Sequence, residues 1–139
     1  MSVHDDQDLK PLSTGADMPR YSTLNKVGFV LAIVNGLVNV ISVANPTPEG
    51  QNGPPLVILI LDSLLGLGII AAVLIGWLRG RRAAIRAATA MLILAAITAL
   101  PAFVVPDVPA GLVTAAGAYV LLTIVTIVLM LKPSRAAGV

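Results

Sequence analysis

One acidic residue interrupts the most apolar part of the sequence. Asp62, followed by Ser63, lies inside the stretch LVILILDSLLGLGII, where the other residues are apolar or glycine. A carboxylate within a membrane-spanning segment usually faces other protein groups or a water-filled cavity, and it commonly serves protons, ions or cationic ligands. Asp62 is therefore the first candidate for a functional residue.

Polar side chains in the other apolar segments are spaced so that they can meet Asp62. Asn35, Asn39 and Ser42 follow an i, i+4, i+7 pattern, which places them on one face of a helix. Asn39 and Asp62 lie at similar depths, about 8–9 Å from the ends of their helices at 1.5 Å per residue. Hydroxyl groups at a similar depth in the last two apolar segments come from Thr98 and Thr114. We therefore expect one polar layer, with Asn39 as the main hydrogen-bond partner of Asp62.

Two interpretations of this layer remain open. In the structural one, the two asparagines and Thr98 hydrogen bond Asp62 and fix the register of the helices, at about 0.6 kcal/mol for an average membrane hydrogen bond. In the functional one, Asp62 binds a proton, a cation or a cationic ligand, since no Lys or Arg shares its layer. The candidate residues for an ion or ligand are Asp62, Asn39, Asn35, Ser63, Thr98 and Tyr119. We expect no catalytic residue, cofactor or metal, because the chain has no cysteine and only one histidine.

The elements that carry these residues are four long apolar segments. The chain is 57% hydrophobic and 12% charged, against about 25% charged residues in a typical soluble domain. The segments span residues 27–44, 56–78, 83–105 and 110–131, each within the roughly 17–25 residues that a bilayer-spanning helix needs. Prolines and glycines at 45–55, the sequence RGRR at 79–82 and PDVP at 106–109 separate them. The sequence predicts an all-α membrane protein.

Polar tails flank the predicted transmembrane domain, residues 25–132. Residues 1–24 are acidic and contain Pro11, Gly15 and Pro19. They carry too little apolar surface to offset the entropy of ordering, so we expect a disordered tail. Residues 133–139 form a second, short tail.

The basic residues fall on one side of the predicted helices. The connections at 45–55 and 106–109 contain no Lys or Arg, whereas the tails and the central turn hold most of the nine in the chain. The positive-inside rule then places both termini and the central turn in the cytoplasm. The sequence predicts a four-helix antiparallel bundle of two hairpins in a bacterial cytoplasmic membrane. Besides fixing this topology, one cluster of arginines offers a site for anionic lipid: Arg79, Arg81, Arg82 and Arg86.

Small residues recur along single helix faces. In the fourth segment Gly111, Ala115, Tyr119 and Thr123 follow one another at i+4 steps, and Thr126 lies a turn further on. The second segment repeats the pattern with Gly68, Ala72 and Gly76. Small residues let helix backbones approach closely, so these faces pack either within the bundle or against another chain.

These features favour a non-catalytic membrane protein: a subunit, an assembly factor or an oligomeric scaffold. The alternative is a small transporter or channel that uses Asp62. The size and helix count resemble those of the small multidrug-resistance transporters, and that resemblance implies transport. That family uses a glutamate in its first helix, where this chain has Asn35 and Asn39. The expected partners are the lipid bilayer and either other membrane subunits or further copies of the chain, and not nucleic acid.

Overall fold

The computed structural model describes residues 21–51 and 53–133, and these residues form helices and connecting segments without any strand. The helices are α1 (Thr23–Ser42), α2 (Leu56–Arg79), α3 (Arg82–Ala99), α4 (Pro101–Val104) and α5 (Ala110–Leu131). α3 and α4 together form one apolar span, so the described residues include four spans long and apolar enough to cross a membrane. Most of the predicted tails, residues 1–20 and 134–139, lie outside the described residues.

Local capping explains where α1 begins. The helix starts at Thr23, four residues before the predicted start at Val27. Ser22 Oγ accepts a hydrogen bond from Asn25 N at 3.2 Å, and Ser22 N donates to Asn25 Oδ1 at 3.0 Å. This reciprocal capping box satisfies backbone groups that the first helical turn would leave unpaired. The polar stretch before Val27 therefore starts the helix rather than preceding it.

A proline divides the third apolar segment, which the sequence predicts as a single helix over 83–105. Pro101 has no N–H and cannot donate to the carbonyl of Ile97, which accepts instead from Leu100 N at 3.1 Å. The chain resumes a helical course in α4, where Val105 N donates to Pro101 O at 2.9 Å. The break lies near the end of the third span, before the connection to α5, and it shapes the wall of the cavity described below.

The four spans pack as a ring. α1 contacts α2 and α5, and α3 contacts the same two helices. The apolar core occupies one half of the bundle along its axis, the half that ends at the α2–α3 turn. Its members are buried side chains from all four spans: Phe29, Ala32, Ile69, Ala72, Val73, Ile85, Ala88, Leu92 and Met130.

Glycines set the closest approach between α1 and its neighbours. A Cβ on Gly36 would lie 2.8 Å from the backbone oxygen of Gly66, so α1 and α2 meet there backbone to backbone. A Cβ on Gly28 would lie 2.7 Å from Met130 N on α5. Gly28 and Gly36, with Ala32 between them, follow i+4 steps on one buried face of α1.

The glycines predicted on α2 pack within the chain. Added Cβ atoms at Gly68 and Gly76 would meet the side chains of Met91 and Ile85, both on α3. Gly111, at the start of α5, has no neighbouring atom within 4 Å of such a Cβ. The α2 face is therefore used inside the bundle, and the first part of the predicted α5 face is open.

An aromatic cluster closes the core at the α2–α3 turn. The Tyr21 hydroxyl donates to Gly76 O at 3.0 Å, and the ring meets Phe29 edge to face at 4.8 Å between centroids. Phe29 in turn lies 5.5 Å from Trp77. Burial raises the pKa of the Tyr21 phenol above its ordinary value, and the nearby Arg82 charge partly opposes that shift. The cluster ties the residues just before α1 to the end of α2.

Candidate functional site

Asp62 is half-buried on α2 and faces α3. Thr98 Oγ1 donates to Asp62 Oδ1 at 2.7 Å, and the same hydroxyl lies 2.7 Å from the carbonyl of Ala95. A threonine hydroxyl has a single hydrogen, so at any moment it serves only one of these two acceptors. Thr98 is the one described residue that hydrogen bonds Asp62, and its bond is shared.

The predicted hydrogen bond between Asn39 and Asp62 is replaced by a bond to α5. Asn39 Nδ2 donates to the Tyr119 hydroxyl at 2.8 Å, and Asn35 Nδ2 donates to Thr123 Oγ1 at 3.0 Å. The Asn35 and Asn39 side chains reach α5, while Gly36 makes the close backbone contact of α1 with Gly66 on α2. Asparagines and aspartate therefore belong to different helix pairs.

The polar line between α1 and α5 is buried and nearly saturated. Thr123 and Thr126 donate to backbone carbonyls one turn earlier in α5, at 2.8 and 2.7 Å. Asn35 Oδ1 is a buried acceptor without a partner among the described residues. Thr114 does not join the layer, because it is exposed and its hydroxyl donates to Ala110 O on its own helix at 2.9 Å.

A cavity of about 660 Å³ separates the helices in the other half of the bundle, at the end away from the α2–α3 turn. Its inner end has one residue from each span: Asn39, Asp62, Ala95 and Tyr119. Most of its wall is aliphatic, and the mouth is lined by the proline-rich connection between α1 and α2 and by Val108. Asp62 is the one charged side chain among the described lining residues. The site is a carboxylate at the inner end of an apolar cavity.

The six predicted site residues separate into three groups. Asp62, Thr98, Tyr119 and Asn39 line the cavity. Asn35 lies one turn deeper between α1 and α5 and is fully buried. Ser63 points away from the cavity, because its hydroxyl lies 3.1 Å from Asn39 O and 3.2 Å from Val40 O on α1.

The arginine cluster lies at the other end of α2, around the turn into α3. All four predicted members, Arg79, Arg81, Arg82 and Arg86, are exposed. Gly80 makes this turn with a φ of 64°, a left-handed conformation that glycine adopts without strain. The cluster and the cavity are thus at opposite ends of the bundle.

Several residues that line the site could not be identified from the sequence. Ala95 and the break at Pro101 line the cavity, and neither has chemistry that marks a site. The line Gly28–Ala32–Gly36 was a readable signal for the face of α1 that neighbouring helices approach closely. The described residues contain no group of three or more His, Cys, Asp or Glu side chains that could hold a metal ion.

Comparison of the chain with family models, with curated proteins and with solved structures finds no match.

Proposed function

We propose that the chain is an integral protein of the bacterial cytoplasmic membrane, with four antiparallel spans and both termini in the cytoplasm. The contact register supports alternating directions: residues at the start of α1 bond to the ends of α2 and α5, as in Tyr21 to Gly76 and Asn25 to Leu129. Further along α1, Gly36 meets Gly66, nearer the start of α2. The one-sided distribution of Lys and Arg supports the orientation.

Within this membrane frame we propose that the protein handles a small cationic ligand through Asp62, as a transporter, channel or binding protein. One observation carries the proposal: among the described residues that line this largely apolar cavity, the one acidic or basic side chain is the carboxylate of Asp62. The volume, about 660 Å³, falls within the roughly 300–1,000 Å³ of small-molecule sites. A bound cation would supply the missing opposite charge.

A purely structural role for Asp62 has less support in the contacts. A register-fixing carboxylate would be expected to have several donors, since ionised carboxylates accept up to about four hydrogen bonds. Asp62 receives one, from a hydroxyl whose hydrogen also has a backbone acceptor. The carboxylate therefore has acceptor capacity left for a ligand.

Binding of an organic cation tests this function. Purified protein in lipid nanodiscs is titrated calorimetrically with n-heptylammonium at neutral pH, and empty nanodiscs are subtracted to remove partitioning into lipid. Saturable binding to the wild type should weaken at least about tenfold in Asp62→Asn, because the charge pair is lost while the shape is kept. Asp107→Asn makes the same change at an exposed acid outside the cavity lining and should bind as the wild type does. Equal binding to both variants would refute the role of Asp62.

A second candidate is a non-catalytic subunit, assembly factor or scaffold, or a homo-oligomer, in which α5 contacts another helix. Its support is the open space at Gly111, a small residue at the start of α5 that the described residues leave uncovered. Purification in mild detergent followed by mass determination tests it: a stoichiometric second chain or a defined oligomer that Gly111→Leu disrupts would support it. A monomer unaffected by Gly111→Leu would refute it.

We also propose that the arginine cluster at the α2–α3 turn contacts anionic lipid headgroups. The exposure of all four arginines beside the end of a span supports this.

A further inference from the structure

The Tyr119 hydroxyl has a hydrogen to give. Asn39 Nδ2 donates to its oxygen at 2.8 Å, so the oxygen is the acceptor in that bond and the phenolic hydrogen is not used there. Among the described residues the acceptor near that hydrogen is the Thr123 hydroxyl, one turn further along α5. The nearby Thr123 hydroxyl is already engaged by Asn35 Nδ2 and by the Tyr119 carbonyl. Asn39, which is 6% exposed, thus holds the phenol oxygen in place as a donor available to the cavity.

The donor and the carboxylate lie on different walls of one cavity. Asp62 is on α2 and Tyr119 is on α5, two helices that are not neighbours in the ring. Both belong to the inner end of the cavity. A ligand between them meets a carboxylate, which attracts a cation, on one side and a hydrogen-bond donor on the other.

We propose that the ligand of this site is an organic ammonium ion that also carries an oxygen acceptor and a short apolar body. The ammonium group binds Asp62, the oxygen receives the Tyr119 hydrogen, and the body lies against the aliphatic wall. This inference rests on the proposed function and specifies its ligand class, with Tyr119 as the residue that determines specificity. Inorganic cations fit the inner end of the cavity poorly: Ca²⁺, for example, takes about 6–8 oxygen ligands, and the oxygen-bearing side chains lining that end with Asp62 are those of Asn39, Thr98 and Tyr119.

A matched pair of probes separates the contribution of Tyr119 from that of Asp62. The probes are n-heptylammonium and 2-butoxyethylammonium, which have the same length and differ by one ether oxygen. Each is titrated calorimetrically into wild type, Tyr119→Phe and Asp62→Asn protein in nanodiscs. Tyr119→Phe should weaken binding of the ether about three- to tenfold, the scale of one hydrogen bond. Binding of n-heptylammonium should stay within about twofold, so that the coupling appears only when both oxygen and hydroxyl are present.

The outcomes distinguish this inference from the proposed function. If Tyr119→Phe weakens both probes equally, or neither, the specificity role of Tyr119 is refuted while cation binding at Asp62 stands. If neither probe binds the wild type saturably, the proposed function itself fails. Should Tyr119→Phe not fold, the wild type decides by comparison with the isomer 5-methoxypentylammonium, whose oxygen lies at the other end. That isomer should bind at least about threefold more weakly than 2-butoxyethylammonium, and equal affinities would overturn the inference.

Discussion

Asn25 is the residue with the most hydrogen-bonding roles in the described chain. Its Nδ2 group lies 2.9 Å from Leu129 O, 3.1 Å from Met130 O and 2.8 Å from Lys132 O, at the end of α5. The last carbonyls of a helix have no partner within the helix, so a side chain from α1 satisfies them across the interface. Its Oδ1 meanwhile caps α1. One amide thus joins the start of one helix to the end of another.

Replacing Asn25 should destabilise the bundle. Asn25→Ala removes the donor to buried carbonyls and half of the capping box, so we expect a loss of about 1–3 kcal/mol in the free energy of unfolding. Thermal or SDS-induced unfolding in detergent measures it. Asn45→Ala is the matched control, because Asn45 is exposed and makes only a 3.5 Å bond to Ile41 O. Equal stability of the two variants would show that the Asn25 bonds contribute nothing net.

At the residue scale the sequence indicates which polar groups matter but not how they pair. The unusual position of Asp62 and the spacing of the asparagines are visible in the sequence, and both sets of side chains line or adjoin the cavity. Their partners depend on how far each helix is rotated about its axis. In this bundle Asn39 of α1 bonds Tyr119 on α5, and Asp62 of α2 receives its bond from Thr98 on α3.

At the scale of elements, the contact between α1 and α2 depends on two glycines. The Gly36–Gly66 crossing brings backbone against backbone, and atoms of the backbone cannot rotate away as a side chain would. Close approach of this kind is the usual basis of helix association in membranes, because within lipid the hydrophobic effect contributes no driving force for association.

A methyl group at this crossing should be costly. In Gly36→Ala the new Cβ would lie 2.7 Å from Ile70 Cγ1 and 2.8 Å from Gly66 O, so α1 and α2 must separate. We expect a loss of about 1–3 kcal/mol, as for other overpacked sites. Gly111→Ala is the control, since its Cβ meets open space; stability should be unchanged or rise by up to about 1 kcal/mol through helix propensity. Denaturation by SDS titration compares the two, and similar effects would contradict the importance of the crossing.

The lengths of the elements follow closely from the sequence, and the irregular ends do not. Apolar runs bounded by Pro and Gly predict α2 and α5 within one residue. The start of α1 depends on a capping box between Ser22 and Asn25, and the break in the third span depends on Pro101. Hydropathy averages over such features, because a cap or a lost hydrogen bond changes local geometry without changing the apolar count.

For the whole molecule, the uneven charge distribution predicts a single orientation. The described connections between α1 and α2 and between α4 and α5 contain no Lys or Arg, whereas four arginines surround the α2–α3 turn. The cavity mouth is on the side without basic residues. With the orientation we propose, the ligand would reach Asp62 from outside the cytoplasm.

Single-cysteine labelling in intact cells tests that orientation. The chain has no native cysteine, so introduced thiols have no background from the protein. Gln51→Cys and Val105→Cys, both exposed, should react with a membrane-impermeant thiol reagent. Ser134→Cys should react only after the cells are permeabilised, because the positive-inside rule places it in the cytoplasm. Labelling of Ser134→Cys in intact cells would overturn the topology.

The aromatic cluster at the α2–α3 turn gives the protein a built-in optical reporter. Trp77 is the only tryptophan in the chain, and its ring lies 5.5 Å from Phe29, beside the apolar core. It is not part of the cavity lining. Its fluorescence therefore follows the docking of α1 against α2 and should stay constant as a ligand fills the opposite half of the bundle. An emission spectrum recorded beside each binding experiment thus shows whether a variant that fails to bind has kept its fold.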